Sequence, residues 1–92
     1  KVPSGALYGD NRVKKYPKLS RAKREEGQVV VRFNILRNGQ VEKLGWLKKS
    51  PHEKLNQEAL DAVKRSAPFA ELPSEIPGAF LEIELPFKFQ LN

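Results

Sequence analysis

From Ala79 to Leu91 the chain alternates between two kinds of side chain. Leu81, Ile83, Leu85, Phe87, Phe89 and Leu91 fall on one face. Phe80, Glu82, Glu84, Pro86, Lys88 and Gln90 fall on the other. A period of two sustained this long specifies a strand with one buried face. A slip of one residue would turn the whole apolar set into water, so the register is firmly set. Pro86 adds a second constraint. It has no N–H for a ladder, and proline is found on edge strands and at bulges. The stretch is therefore predicted to be a long edge strand, and an edge presents unpaired backbone to another chain.

The rest of the chain must supply a sheet for that edge. Gln28 to Leu36 also alternates, with Val29, Val31, Phe33 and Ile35 on one face. Its β-branched content supports a strand. Asn38-Gly39 follows, a strong hairpin signal because both residues tolerate positive φ. A second strand is predicted from Gln40 to about Lys49, with Gly45 marking a bulge or the close approach of another backbone. Trp46 in this strand is placed either in the core or at a surface contact. Glu53 to Ser66 carries Leu55, Ala59, Ala62, Val63 and Ser66 at helical spacing, with Leu60 at the margin. Asp61 and Arg65 form an i,i+4 pair on its outer side. Pro68, Pro73 and Pro77 make residues 67–78 an extended connector. Near the N-terminus, Pro17 suits the start of a short basic helix. Leu19, Ala22 and Lys23 give it a narrow stripe, and Gly27 is expected to stop it. Residues 1–15 show no hydrophobic period and are expected to be the flexible end of a linker, with the domain spanning 16–92.

The element order is helix, strand, strand, helix, strand. A helical crossover within one sheet is right-handed and leaves its two strands parallel. The first strand can then slot between them. The expected fold is α+β, with a three-stranded sheet of order 2-1-3, the first strand antiparallel to both neighbours, and both helices on one face. This places the last strand at an edge without using Pro86.

Chemistry is sparse. The 92 residues make one small domain with a thin core. There is no cysteine, which removes disulfides, thiolate metal sites and a thiol nucleophile. His52 is the single histidine and sits in a turn, where a surface role is expected rather than a metal site. No phosphate-binding glycine loop and no walled pair of carboxylates is present. Neither an enzyme, a cofactor nor a metal is expected. The net charge of +6 raises nucleic acid as a partner. The strands lack aromatic stacking platforms, and Glu82 and Glu84 beside Phe80 oppose phosphate, so no nucleic-acid partner is expected. A basic nucleic-acid-binding module stays as an alternative reading, tested by the salt dependence of duplex binding. No apolar run approaches the roughly 20 residues of a membrane span, and with no methionine the chain reads as a fragment.

Several segments, taken in order, resemble the C-terminal domain of the TonB family of energy transducers. Tyr16-Pro17 opens the matched part. Gly27-Gln-Val-Val-Val-Arg-Phe resembles the family's Gly-x-Val-x-Val-x-Phe strand, and Asn38-Gly39-Gln-Val41 its turn. Leu55 to Val63 is similar to its Leu-x-x-x-Ala-Leu-x-Ala-Val helix. Pro68-Phe69 and Leu85-Pro86-Phe87-Lys-Phe89 resemble its later segments. The resemblance runs from Tyr16 to Leu91. One departure is the lack of a tryptophan after the second helix, where the chain reads Arg65-Ser-Ala-Pro-Phe69.

The resemblance implies a periplasmic head, tethered to the inner membrane of a Gram-negative bacterium by an N-terminal helix outside this fragment. It implies a motor similar to ExbB and ExbD, and capture of the TonB box of outer-membrane TonB-dependent transporters by strand addition. Transport of iron chelates or other metal or cofactor cargo would follow. With Pro86 closing the far end, the capturing residues are expected to be Phe80, Leu81, Glu82, Ile83, Glu84 and Leu85. Proline at Ile83 or Glu84 is expected to abolish capture, and Pro86→Ala to spare it. Arg12, Lys14, Lys15, Arg21 and Arg24 are expected to steer the domain toward acidic surfaces. The open edge can also pair with a second copy to give a homodimer. A TolA-like envelope tether, with similar architecture, is the nearest alternative.

Overall fold

The computed structural model describes residues 14–91. Its elements are α1 (Lys18–Ala22), β1 (Gly27–Leu36), β2 (Val41–Lys48), α2 (Glu53–Ser66) and β3 (Phe80–Phe89). The strands form one sheet of order β2-β1-β3, with β1 antiparallel to both neighbours. This is the expected α+β arrangement.

The core is the apolar set read from the alternation. Val29, Val31, Phe33 and Ile35 of β1 are fully buried, as are Leu55, Ala59 and Ala62 of α2. Ile83, Leu85, Phe87 and Phe89 of β3 complete it, with Leu72 from the connector. Each large side chain so buried contributes about 1.5–3 kcal/mol relative to exposure. Small Ala59 and Ala62 let α2 lie close to the sheet. Trp46 lies on this same side, partly buried, and its indole N–H donates to Asn56 O at 2.9 Å. Its role is therefore packing within the fold.

Four local expectations change. First, α1 is only five residues long, and Leu19 is 55% exposed while Ser20 is fully buried. The helix docks through Ser20 and the preceding Tyr16, not through a Leu19–Ala22 stripe. Second, Arg24, at φ 56°, supplies the left-handed turn after α1. Gly27 instead begins β1, where a Cβ would lie 2.9 Å from that of Ser50. Third, the hairpin has a three-residue loop, Arg37 to Gly39. Gly39 N donates to Leu36 O at 2.8 Å, and Gly39 has φ +90°. Asn38 instead accepts from Gln40 N at 3.0 Å through its Oδ1. Fourth, β2 is irregular at two places: Lys43, with φ 56°, and Leu44 together oppose Phe33, and Leu47 is extra between the Val30–Lys48 and Val31–Trp46 pairs. Gly45 pairs in register with Arg32.

The turn before α2 carries a buried polar knot. Asn56 Oδ1 accepts from Ser50 N at 2.7 Å and Ser50 Oγ at 2.8 Å, and Asn56 Nδ2 donates to Ser50 O at 2.9 Å. Asn56 thus satisfies the backbone where β2 hands over to α2. Asn56→Ala leaves both Ser50 backbone groups without these partners. The expected cost is about 2–4 kcal/mol, read as a lower urea midpoint.

Candidate functional site

Backbone direction along β3 follows from one hydrogen bond. Leu36 N donates to Gln40 O at 2.8 Å, so Leu36 turns its polar groups toward β2. Direction alternates along a strand. Ile35, Phe33, Val31, Val29 and Gly27 therefore turn theirs toward β3. Their register partners are Leu81, Ile83, Leu85, Phe87 and Phe89, in an unbroken ladder. Phe80, Glu82, Glu84, Pro86 and Lys88 then point their backbone groups away from the sheet. Pro86 sits where β1 asks for no donor. Its missing N–H costs the fold nothing and shortens the free edge instead.

The far end of that edge is occupied. Lys14 Nζ donates to Lys88 O and lies 4.9 Å above the Phe89 ring. Burial lowers the Lys14 pKa from the usual lysine value. Tyr16 packs edge-on against Phe89 at 5.5 Å, and its hydroxyl donates to Glu25 O. On the opposite side, toward β1, Leu91 N donates to Glu26 Oε2 at 2.8 Å. The stretch left open is Phe80 to Leu85. It offers the N–H groups of Phe80, Glu82 and Glu84 and their carbonyls. The side chains of these three residues are exposed on the sheet face away from α2, and Phe80 is 48% exposed.

The structure separates the six expected capturing residues into two sets. Phe80, Glu82 and Glu84 present backbone outward. Leu81, Ile83 and Leu85 spend theirs on β1 and their side chains on the core. Proline at Ile83 would therefore break the β1–β3 ladder itself, so it is not a clean probe of the edge.

The basic residues near the N-terminus are dispersed. Arg12 lies outside the described residues. Lys14 is held against β3. The Arg21 guanidinium lies 5.1 Å from the Tyr16 ring centre. Lys15 and Arg24 have exposed side chains, and Lys15 N donates to Glu58 Oε2 at 2.5 Å. His52 is half-buried, with Nδ1 3.5 Å from Glu25 Oε2. Among the described residues, no group of three or more histidine or acidic side chains is placed to hold a metal ion. No helix among them is long and apolar enough to cross a membrane.

The residue that sequence reasoning missed is Arg37. Its Nη1 donates to Ile76 O at 2.7 Å and Gly78 O at 2.8 Å, and its Nη2 to Pro73 O at 2.9 Å. Leu72 N returns a bond to Arg37 O at 3.1 Å. One guanidinium thus clasps the proline-rich connector and sets where β3 begins. Phe69 fills the corner that lacks a tryptophan, stacking on Phe33 at 6.0 Å. Arg37→Met is expected to cost about 1–2 kcal/mol, since these charge-assisted bonds are partly exposed. Hydrogen exchange should quicken at Leu72 and leave Val31 and Phe33 protected.

Comparison with known proteins follows the same outline. The family described as Gram-negative bacterial TonB protein C-terminal matches residues 12–91. The Protein TonB of Pasteurella multocida is 31% identical over 79 residues, covering 86% of this chain. The chain spans 30% of that relative's length. The solution structure of the Helicobacter pylori TonB C-terminal domain superposes with a TM-score of 0.73 at 28% identity, over 86% of this chain and 70% of that one. The Pseudomonas aeruginosa TonB C-terminal domain gives 0.62 at 22% identity, over 85% and 78%, a likeness of fold.

Proposed function

Because this chain belongs to the TonB C-terminal family, we propose that it is the periplasmic head of an energy transducer and captures transporter segments by strand addition on β3. The partner is an extended segment, the TonB box, of an outer-membrane TonB-dependent transporter. The parent protein is tethered to the inner membrane and driven there by a motor similar to ExbB and ExbD. The work transmitted serves uptake of iron chelates or other metal or cofactor cargo.

One observation carries this reading: β3 lies at the edge of the sheet with three consecutive outward donors, Phe80, Glu82 and Glu84. An added strand gains affinity from backbone hydrogen bonds and selectivity from alternate side chains. Force on such a strand loads a ladder whose other side is anchored along all ten residues of β3 by β1. Exposed Lys15, Arg21 and Arg24 steer the head toward acidic transporter surfaces, in an ionic-strength-dependent way.

The experiment is a titration of the chain with peptides copied from transporter TonB boxes, alongside a pull-down of envelope proteins. Saturable binding that perturbs Phe80 to Leu85, with transporters retained, supports the reading. Absence of peptide binding, with Tol-system proteins retained instead, overturns it.

A further inference from the structure

We infer that the captured segment carries basic side chains at the positions that come to lie beside Glu82 and Glu84, alternating with apolar ones. This rests on strand addition to β3 and names the class of segment that the edge selects.

On β3, backbone direction and side-chain direction are locked together. The residues that offer outward backbone, Phe80, Glu82 and Glu84, all place their side chains on the face away from α2. A strand added to them sets its own alternate residues beside these three. Cross-strand neighbours stand about 4.5–5.5 Å apart at Cβ, and opposite charges there attract while like charges repel. The compensation of the two carboxylates from within the sheet is uneven. Glu84 is opposite Arg32 on β1, whereas Glu82 is opposite Asn34. Beyond Asn34 lies Glu42 of β2, a further negative charge. Glu82 therefore gains most from a cation supplied by an incoming strand. The other side of that strand lies beside Leu81, Ile83 and Leu85, whose side chains belong to the core, so it calls for apolar residues.

The chain as a whole carries a net charge of +6. If overall charge governed capture, acidic segments would be preferred. The local carboxylates predict the opposite, because the cross-strand distance is well inside the screening length of about 8 Å at physiological salt.

The test uses the 92-residue chain and three synthetic ten-residue peptides of alternating valine and threonine. Two threonines, spaced two residues apart, are replaced by lysine, by glutamine or by glutamate. Affinity and the amide shifts of Phe80, Glu82 and Glu84 are followed in parallel. The lysine peptide is expected to bind about tenfold more tightly than the glutamate peptide, with glutamine between them. The Glu82→Lys/Glu84→Lys variant should reverse the order, and Glu82→Gln should narrow it more than Glu84→Gln. Equal binding of all three peptides at the edge, or preference for glutamate, overturns the inference and leaves strand addition standing. Failure of every peptide, the glutamine one included, to shift the edge amides overturns both.

Discussion

Glu84→Pro leaves the chain folded and weakens capture of an extended peptide by more than about tenfold, whereas Ile83→Pro unfolds it. The two positions are adjacent, and their difference comes from backbone direction alone. Glu84 points its N–H outward, so proline there takes nothing from β1. Pro86 already shows that β3 tolerates proline at this parity. What is lost is the last donor of the free edge, next to the gap at Pro86, about 0.5–1.5 kcal/mol by itself. The pyrrolidine ring also takes up the space of an incoming carbonyl, so the ladder cannot run continuously past it. Ile83, by contrast, is paired with Phe33, and its side chain is 5% exposed. Proline there removes a ladder bond and a core side chain together. Pro86→Ala should keep capture intact, because it adds a donor at the end of the open stretch. Peptide titration and far-ultraviolet circular dichroism on the three variants separate the outcomes. Equal loss of fold in Glu84→Pro would contradict the assigned direction.

The second large effect is expected at Gly39. Its φ of +90° is strained for any side chain, and an added Cβ would lie 1.9 Å from Phe69 O. That oxygen is backbone and cannot swing aside. Phe69 N donates to Gly39 O at 2.8 Å, so separating the two segments also breaks this bond. The Phe33–Phe69 stack and the Arg37 clasp lie just beyond. Gly39→Ala is expected to cost about 3–5 kcal/mol, a large part of the stability of a domain this small. Gly45→Ala is the control. A Cβ there meets nothing within 4 Å, and its effect should stay within about 0.5 kcal/mol of neutral. Urea denaturation of both variants measures the contrast.

Much of this fold is written in periodicity. The alternation of β1 and β3 specified both strands and their buried faces, and the spacing of Leu55, Ala59, Ala62 and Val63 specified the face of α2. The edge position of β3 followed from topology. The parts that could not be read are set by single long-range contacts. Arg37 sits beside a turn, where an arginine has no distinguishing pattern, and its partners lie more than thirty residues downstream in a connector without periodicity. Gly27 looked like a helix stop because a glycine's need for space is invisible until Ser50 is placed against it. Leu19 faces out and Ser20 faces in because a five-residue helix has too few turns for a stripe to be reliable. Within the edge, the resemblance and the gap at Pro86 marked the residues from Phe80 to Leu85 as one block. Only the register with β1 divides them into three that hold the sheet and three that face outward.

That division is measured most directly by amide hydrogen exchange along β3, with and without a transporter-derived TonB-box peptide. In the free chain, Leu81, Ile83 and Leu85 should be protected and Phe80, Glu82 and Glu84 should exchange quickly. With peptide bound, protection should appear at Phe80, Glu82 and Glu84. Bound peptide that leaves those three amides exchanging as fast as before would contradict capture by strand addition.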